Sequence, residues 1–135
     1  MALEEAPDIP GAAEVVAWFG YWPTFHDAEV LSITLDRSRG STVAIHAFET
    51  TREVDAEGRY VLAKHATVTF CLEGFPQDSD GIVETRIEFF NHQNVLSSAW
   101  VRKSAGAWEL MLESCCGVGG SVWGERISVK LDAWT

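Results

Sequence analysis

The sequence predicts a mainly β (α+β) domain: one N-terminal helix followed by about seven mostly antiparallel strands in a curved meander or partly closed barrel. Three observations carry that prediction. Only one segment, ending near Phe19, repeats its apolar residues at helical spacing. From Glu29 onward apolar residues alternate with polar ones in short runs. Glycine- and acid-rich turns separate those runs at spacings too short for crossover helices. At 135 residues the chain is read as one domain, 1–135, with residues 1–9 as a loose lead.

In chain order, Asp8 is placed to cap a helix from Pro10 to Phe19, with proline near the first turn where its missing N–H costs nothing. Ala12, Val15, Val16 and Phe19 share one stripe, flanked by Trp18, and Gly20 ends the helix. Glu29 to Asp36 alternates, with Leu31, Ile33 and Leu35 on one face and Val30, Ser32 and Thr34 on the other. Asp36 to Ser41 turns into a second strand bearing Val43, Ile45 and Ala47, paired with the first as a hairpin. After the turn at Asp55–Gly58 comes a long third strand, Tyr60 to Leu72, with a bulge or bend expected near Lys64 to Ala66, where the alternation falters. Glu73 to Gly81 is loop by composition. Ile82 to Phe90 and Val95 to Arg102 alternate on either side of Asn91–Asn94, which suggests another hairpin. Ser104 to Gly106 turns into Trp108, Leu110 and Leu112, set against Glu109, Met111 and Glu113. Cys115 to Gly120 is a glycine-rich turn, and Val122 to Ala133 is a last strand.

Composition narrows the function classes. Twenty acidic residues against ten basic give a net charge of -10, which repels nucleic acid and anionic membrane and steers basic partners inward. No apolar run approaches the roughly 20 residues of a membrane-crossing helix. The acidic start lacks the basic and apolar regions of a signal peptide, so a cytoplasmic location is expected. Three cysteines without a Cys-x-x-Cys spacing read as small buried hydrophobes.

The densest chemistry lies between Gly20 and Val30, where Tyr21, Trp22, Pro23, Phe25, His26, Asp27 and Glu29 fall together. His26, Asp27 and Glu29 carry metal-donor atoms. However, they form no His-x-His or His-x-x-x-His pair, and His46, His65 and His92 lie on separate elements, so no metal or other cofactor is expected. No Gly-x-Ser-x-Gly elbow and no cysteine signature beside a histidine points to a nucleophile. Asp27 and Glu29 share a side of an early strand, a pairing that suits acid–base work but is commoner as a solvated face or cap. Six tryptophans are many for this length, and Trp22, Trp100 and Trp123 fall opposite the expected core, as anchors of a binding patch would.

The segment Phe19-Gly-Tyr-Trp-Pro-Thr-Phe-His-Asp-Ala-Glu-Val30, together with Phe89-Phe-Asn-His-Gln-Asn-Val95, resembles the bacterial immunity protein 50 family of polymorphic-toxin systems. The resemblance spans Trp18 to the end of the chain and rests on Trp22, Phe25, His26, Asp27, Glu29, Asn91 and Asn94. It implies a non-enzymatic protein that neutralises a cognate toxin. The acidity suits a basic one such as a nuclease. The resemblance leaves two roles open for these residues, binding the toxin or holding the fold; in the second, Pro23 sets the bend where helix meets sheet, Trp22 and Phe25 pack beneath the helix, and the polar residues bond turns. Two alternatives stay open: a small-ligand-binding β-barrel or enzyme using the Trp22 to Glu29 corner, and a homodimer joined along an exposed edge strand.

Overall fold

The computed structural model describes residues 5–76, 83–104 and 106–134. Within them one helix, α1 (Ala12–Phe19), precedes eight strands: β1 (Glu29–Thr34), β2 (Ser41–Val54), β3 (Tyr60–Glu73), β4 (Arg86–Glu88), β5 (Leu96–Ser104), β6 (Ala107–Ser114), β7 (Gly119–Gly124) and β8 (Arg126–Ala133). They form two four-stranded antiparallel sheets, ordered β1-β2-β3-β8 and β4-β7-β6-β5, which curve over one core without closing into a barrel. No helix among the described residues is long and apolar enough to cross a membrane.

Alternation places Val43, Ile45 and Ala47 of β2, Ala66, Val68, Phe70 and Leu72 of β3, and Leu110 and Leu112 of β6 in that core. On β1 the expected face is wrong. Val30 is buried while Leu31 and Leu35 are exposed, because a bulge between Val30 and Ser32 inserts an extra residue and puts Val30 and Ile33 opposite the core residues Ile45 and Val43. The bulge expected on β3 is present. As β2 passes from Ala47 to Glu49, its partner on β3 moves from Ala66 to Ala63, and Lys64 takes a φ of 54°.

That bulge docks the helix. The Lys64 carbonyl accepts the Trp18 indole N–H at 2.9 Å, and the Lys64 ammonium donates to the Phe19 carbonyl at 3.3 Å, where the negative end of the helix dipole favours a cation. The other end of α1 departs from expectation. Its N-cap is Gly11, with φ 91° and no side-chain bond, and neither Asp8 nor Pro10 belongs to the helix. The reason is tertiary: the Pro10 carbonyl accepts the Val129 N–H of β8 at 2.9 Å, so this turn covers the sheet edge instead of extending the helix. Ile9 is buried in the core, and the loose lead therefore ends before it.

Three further expectations are corrected. The last strand is two, because the chain passes from one sheet to the other at Glu125, whose N–H donates to the Glu73 carbonyl at 2.8 Å. Gly124 permits the crossing, since a Cβ there would sit 2.9 Å from that of Leu72. The hairpin across Asn91–Asn94 does not exist: β4 and β5 lie at opposite edges of their sheet. β4 is only three residues long, Phe89 leaves it with φ 53°, and the expected start at Ile82 lies outside the described residues. The cysteines are not all buried, for Cys115 and Cys116 are exposed and Cys71 is half-buried.

A Cβ at residue 11 would lie 1.7 Å from the Val129 carbonyl oxygen, at a φ that disfavours any side chain. Gly11→Ala is expected to cost about 2–4 kcal/mol, from left-handed strain plus forced separation of α1 and β8. Urea unfolding measures it, and a loss below about 1 kcal/mol would mean that this contact is not held in solution.

Candidate functional site

The Gly20–Val30 segment divides cleanly into a buried and an exposed half. Gly20 ends α1 with φ 87° and returns its N–H to the Val16 carbonyl. Trp22 and Phe25 then turn inward and meet Phe70 of β3 edge to face, with ring centroids 6.2 and 5.8 Å from it and 6.0 Å from each other. Trp22 thus belongs to the core, not to a surface patch. Phe25 and Asp27 hold positive φ values of 63° and 62°, which lets the chain turn sharply twice and still deliver Val30 to the core.

The segment also joins the sheets. The Asp27 N–H donates to the Leu96 carbonyl, the Leu96 N–H to the Ala28 carbonyl, and the Val30 N–H to the Asn94 carbonyl, at 2.8 to 2.9 Å. Glu29 pairs Val95 across this seam. The Asn94 side chain completes it, its Nδ2 donating to the Val30 carbonyl at 3.1 Å. Asn94 therefore satisfies a backbone carbonyl at this seam. Asn91, by contrast, is exposed in a turn closed by the His92 N–H on the Phe89 carbonyl.

His26 and Asp27 touch each other at 3.3 Å, but both side chains are more than half exposed. Glu29 is exposed at the start of β1, opposite His46. An open cleft of about 200 Å³ runs between Tyr21, Pro23, His26 and Phe48, and Asp27 does not line it. It is smaller than the roughly 300–1,000 Å³ pockets that usually take small molecules. No group of three or more His, Cys, Asp or Glu side chains gathers for a metal among the described residues.

A denser polar construction lies on the outer face of the second sheet. Register places Arg102 of β5 opposite Glu109 of β6, Trp100 opposite Met111 and Ser98 opposite Glu113, with Trp123 of β7 on the other side of Glu109. Glu109 is the sole buried charged residue among those described, at 3% exposure. Both of its oxygens are satisfied: Arg102 Nε contacts Oε1 at 2.5 Å, and the Ser121 hydroxyl donates to Oε2 at 2.7 Å. The Arg102 guanidinium also lies 5.6 Å from the Trp100 ring. Glu113 accepts the Trp100 indole N–H and the Ser98 hydroxyl, each at 2.8 Å, and these bonds hold its carboxyl below the ordinary range. Sequence alternation put Trp100, Glu109, Met111 and Glu113 away from the core; the cross-strand register that knits them was not visible there, and Trp123, expected as an exposed anchor, is instead buried at 6% exposure.

A second cluster decorates the outer face of the first sheet. His46 Nε2 and His65 Nδ1 are 2.9 Å apart, and the Trp134 ring stacks on His46 at 4.0 Å. Trp134 is fixed by its backbone N–H to the His65 carbonyl and its indole N–H to the Thr67 hydroxyl. Burial first, then the charge of His65, lowers the His46 pKa, while Glu29 opposes the shift.

Two predictions follow from this geometry. Asn94→Ala is expected to cost about 1–2 kcal/mol, because it leaves the Val30 carbonyl short of a partner, whereas His26→Ala should fall within about 0.5 kcal/mol of the parent as an exposed change; denaturant melts of both variants check the contrast. For His46, the folded chain binds fewer protons than the unfolded one, so stability is lost as pH falls from the ordinary histidine value of about 6.5 through the lowered folded value. Melting temperature should therefore drop across that window, and less steeply in His46→Gln. The lowered carboxyls of Glu113 and of Asp36, the latter held by the Arg39 and Ser38 backbone N–H groups and the Ser38 hydroxyl, add their losses only at lower pH. Comparison with known proteins finds no match among family models, curated proteins or solved structures.

Proposed function

We propose that this protein is a non-enzymatic immunity protein that binds and neutralises a basic bacterial toxin domain, such as a nuclease, through the outer face of the β4-β7-β6-β5 sheet. The observation that carries the reading is the composition and order of that face. Trp100, Met111 and Arg102 belong to residue types that anchor protein interfaces, and they surround Glu109 and Glu113 while Glu88 stands on the edge strand. The exposed carboxylate of Glu113 is already oriented by two hydrogen bonds, so a cationic partner meets a pre-positioned acceptor and loses less entropy on docking, while Glu109 stays buried and holds Arg102 in place. The net charge of -10 favours the encounter at long range.

The Trp22 to Asn94 motif supports this reading from a distance, by fixing the first residues of β5 on which the face is built. Under it, sequence is expected to vary on the sheet face while the corner stays constant, as toxin-specific recognition on a common scaffold requires.

Coexpression with the toxin domain encoded beside this gene is the direct test. A stable complex and rescue of growth are expected, with an association rate that falls as salt rises. Trp100→Ala should weaken the complex about ten-fold or more, and His26→Ala should leave it intact. If neither complex nor protection is found, the proposed function is wrong. If the complex forms and Trp100→Ala has no effect, the partner docks elsewhere.

A further inference from the structure

Away from both sheet faces lies the turn that joins β6 to β7. Ser114 clasps it, its Oγ donating to the Gly117 carbonyl at 2.9 Å and accepting the Gly117 N–H at 3.1 Å. Gly117 is pressed onto Gln93, where a Cβ would come within 2.2 Å of the carbonyl oxygen, and the Val118 N–H donates to that same carbonyl at 2.8 Å. The turn is thus fixed on both flanks. What it carries outward are Cys115 and Cys116, both exposed free thiols. Their sulfurs lie 3.2 Å apart, and Cys116 Sγ is 3.3 Å from Gln93 Oε1. Contact with Cys116, and then the charge of that neighbour, holds the Cys115 thiol above its ordinary range, as expected where two thiolates side by side are disfavoured.

We propose that Cys115 and Cys116 form a reversible dithiol site that exchanges with low-molecular-weight disulfides of the glutathione class and closes to a bond between the two residues. One thiolate of the pair attacks a sulfur of the small disulfide, forms a mixed disulfide and expels one small thiolate, which takes up a proton. The neighbouring sulfur then loses its proton, attacks the protein-side sulfur of the mixed disulfide and expels the second small thiol. Two electrons and two protons pass from the pair to the small disulfide, which leaves as two thiols. The second step needs no diffusion, because the attacking sulfur is already in contact.

Closure is readily undone. Adjacent Cα atoms stand about 3.8 Å apart across a trans peptide, short of the roughly 4.4–6.8 Å that disulfides span without strain. Strain raises the reduction potential and makes such a bond labile, which suits a site that responds to redox conditions rather than one that staples the fold. Cys71 lies on β3, remote in sequence from the turn and half-buried, and takes no part.

The test is titration of the purified chain with graded mixtures of oxidised and reduced glutathione, read by intact mass and peptide mapping. The expected product is lighter by two hydrogens, maps to the peptide holding Cys115 and Cys116, and reverts in excess reduced glutathione. Phenylarsine oxide, which bridges paired thiols, should block its formation. Cys115→Ser and Cys116→Ser should each give a single glutathione adduct at the remaining turn cysteine, while Cys71→Ser behaves as the parent. Accumulation of two adducts on the parent turn, disulfide-linked dimers through it, or no change in the parent under conditions that label Cys115→Ser would each overturn the proposal.

Discussion

The edge-to-face cluster of Trp22, Phe25 and Phe70 is the contact on which the rest of the arrangement depends. It fixes the segment after α1 against β3, and from there the chain runs beside residues 94–96, at the start of β5, as it enters β1. Holding Phe25 in a left-handed conformation costs about 1–2 kcal/mol, but burying its ring returns about 1.5–3 kcal/mol and each aromatic pair adds about 0.5–1.5 more. Burial wins, and the strained turn is stable because its ring is inside. Asp27, the second residue with positive φ, tolerates that conformation better than most non-glycine residues, which accounts for an acid at this point without invoking chemistry.

The two sheets meet along that seam. Backbone bonds between residues 27–30 and 94–96 tie β1 to β5, and the crossing at Glu125 ties β7 to β8 on the return path. Helix α1 closes the remaining side through the Lys64 bulge at its C-terminus and the Pro10 carbonyl near its N-terminus. Each junction uses an irregular feature, whether a bulge, a glycine or a left-handed residue. Regular strands alone would leave two flat sheets with open edges.

Once the core and its seams are satisfied, the polar chemistry is left on the outer faces. One face gathers Glu109, Arg102, Trp100 and Glu113 into a hydrogen-bonded array, and the other stacks His46, His65 and Trp134. The first has the charge and side-chain types of a protein-docking surface, and the toxin-neutralising reading rests on it. The Trp22 to Glu29 corner contributes scaffold to that reading: its aromatic half is buried and its polar half is a small exposed pair.

The sequence by itself determined the mainly β class, the single amphipathic helix, the β3 bulge and the outward placement of Trp100, Glu109 and Met111, because each is written in local periodicity or in its interruption. Tertiary structure decided the rest. Alternation identifies a face only until a bulge shifts it, and the bulge at Leu31 reversed the reading of β1. It cannot say which strands pair, so β4 and β5 looked like a hairpin and proved to be opposite edges. A continuous run from Val122 to Ala133 contains two strands because Gly124 meets Leu72, a residue more than fifty positions earlier, and long-range contacts of that kind leave no local trace. The Cys115–Cys116 pair was legible as two adjacent letters, but its exposure and its rigid setting against Gln93 came only from the fold.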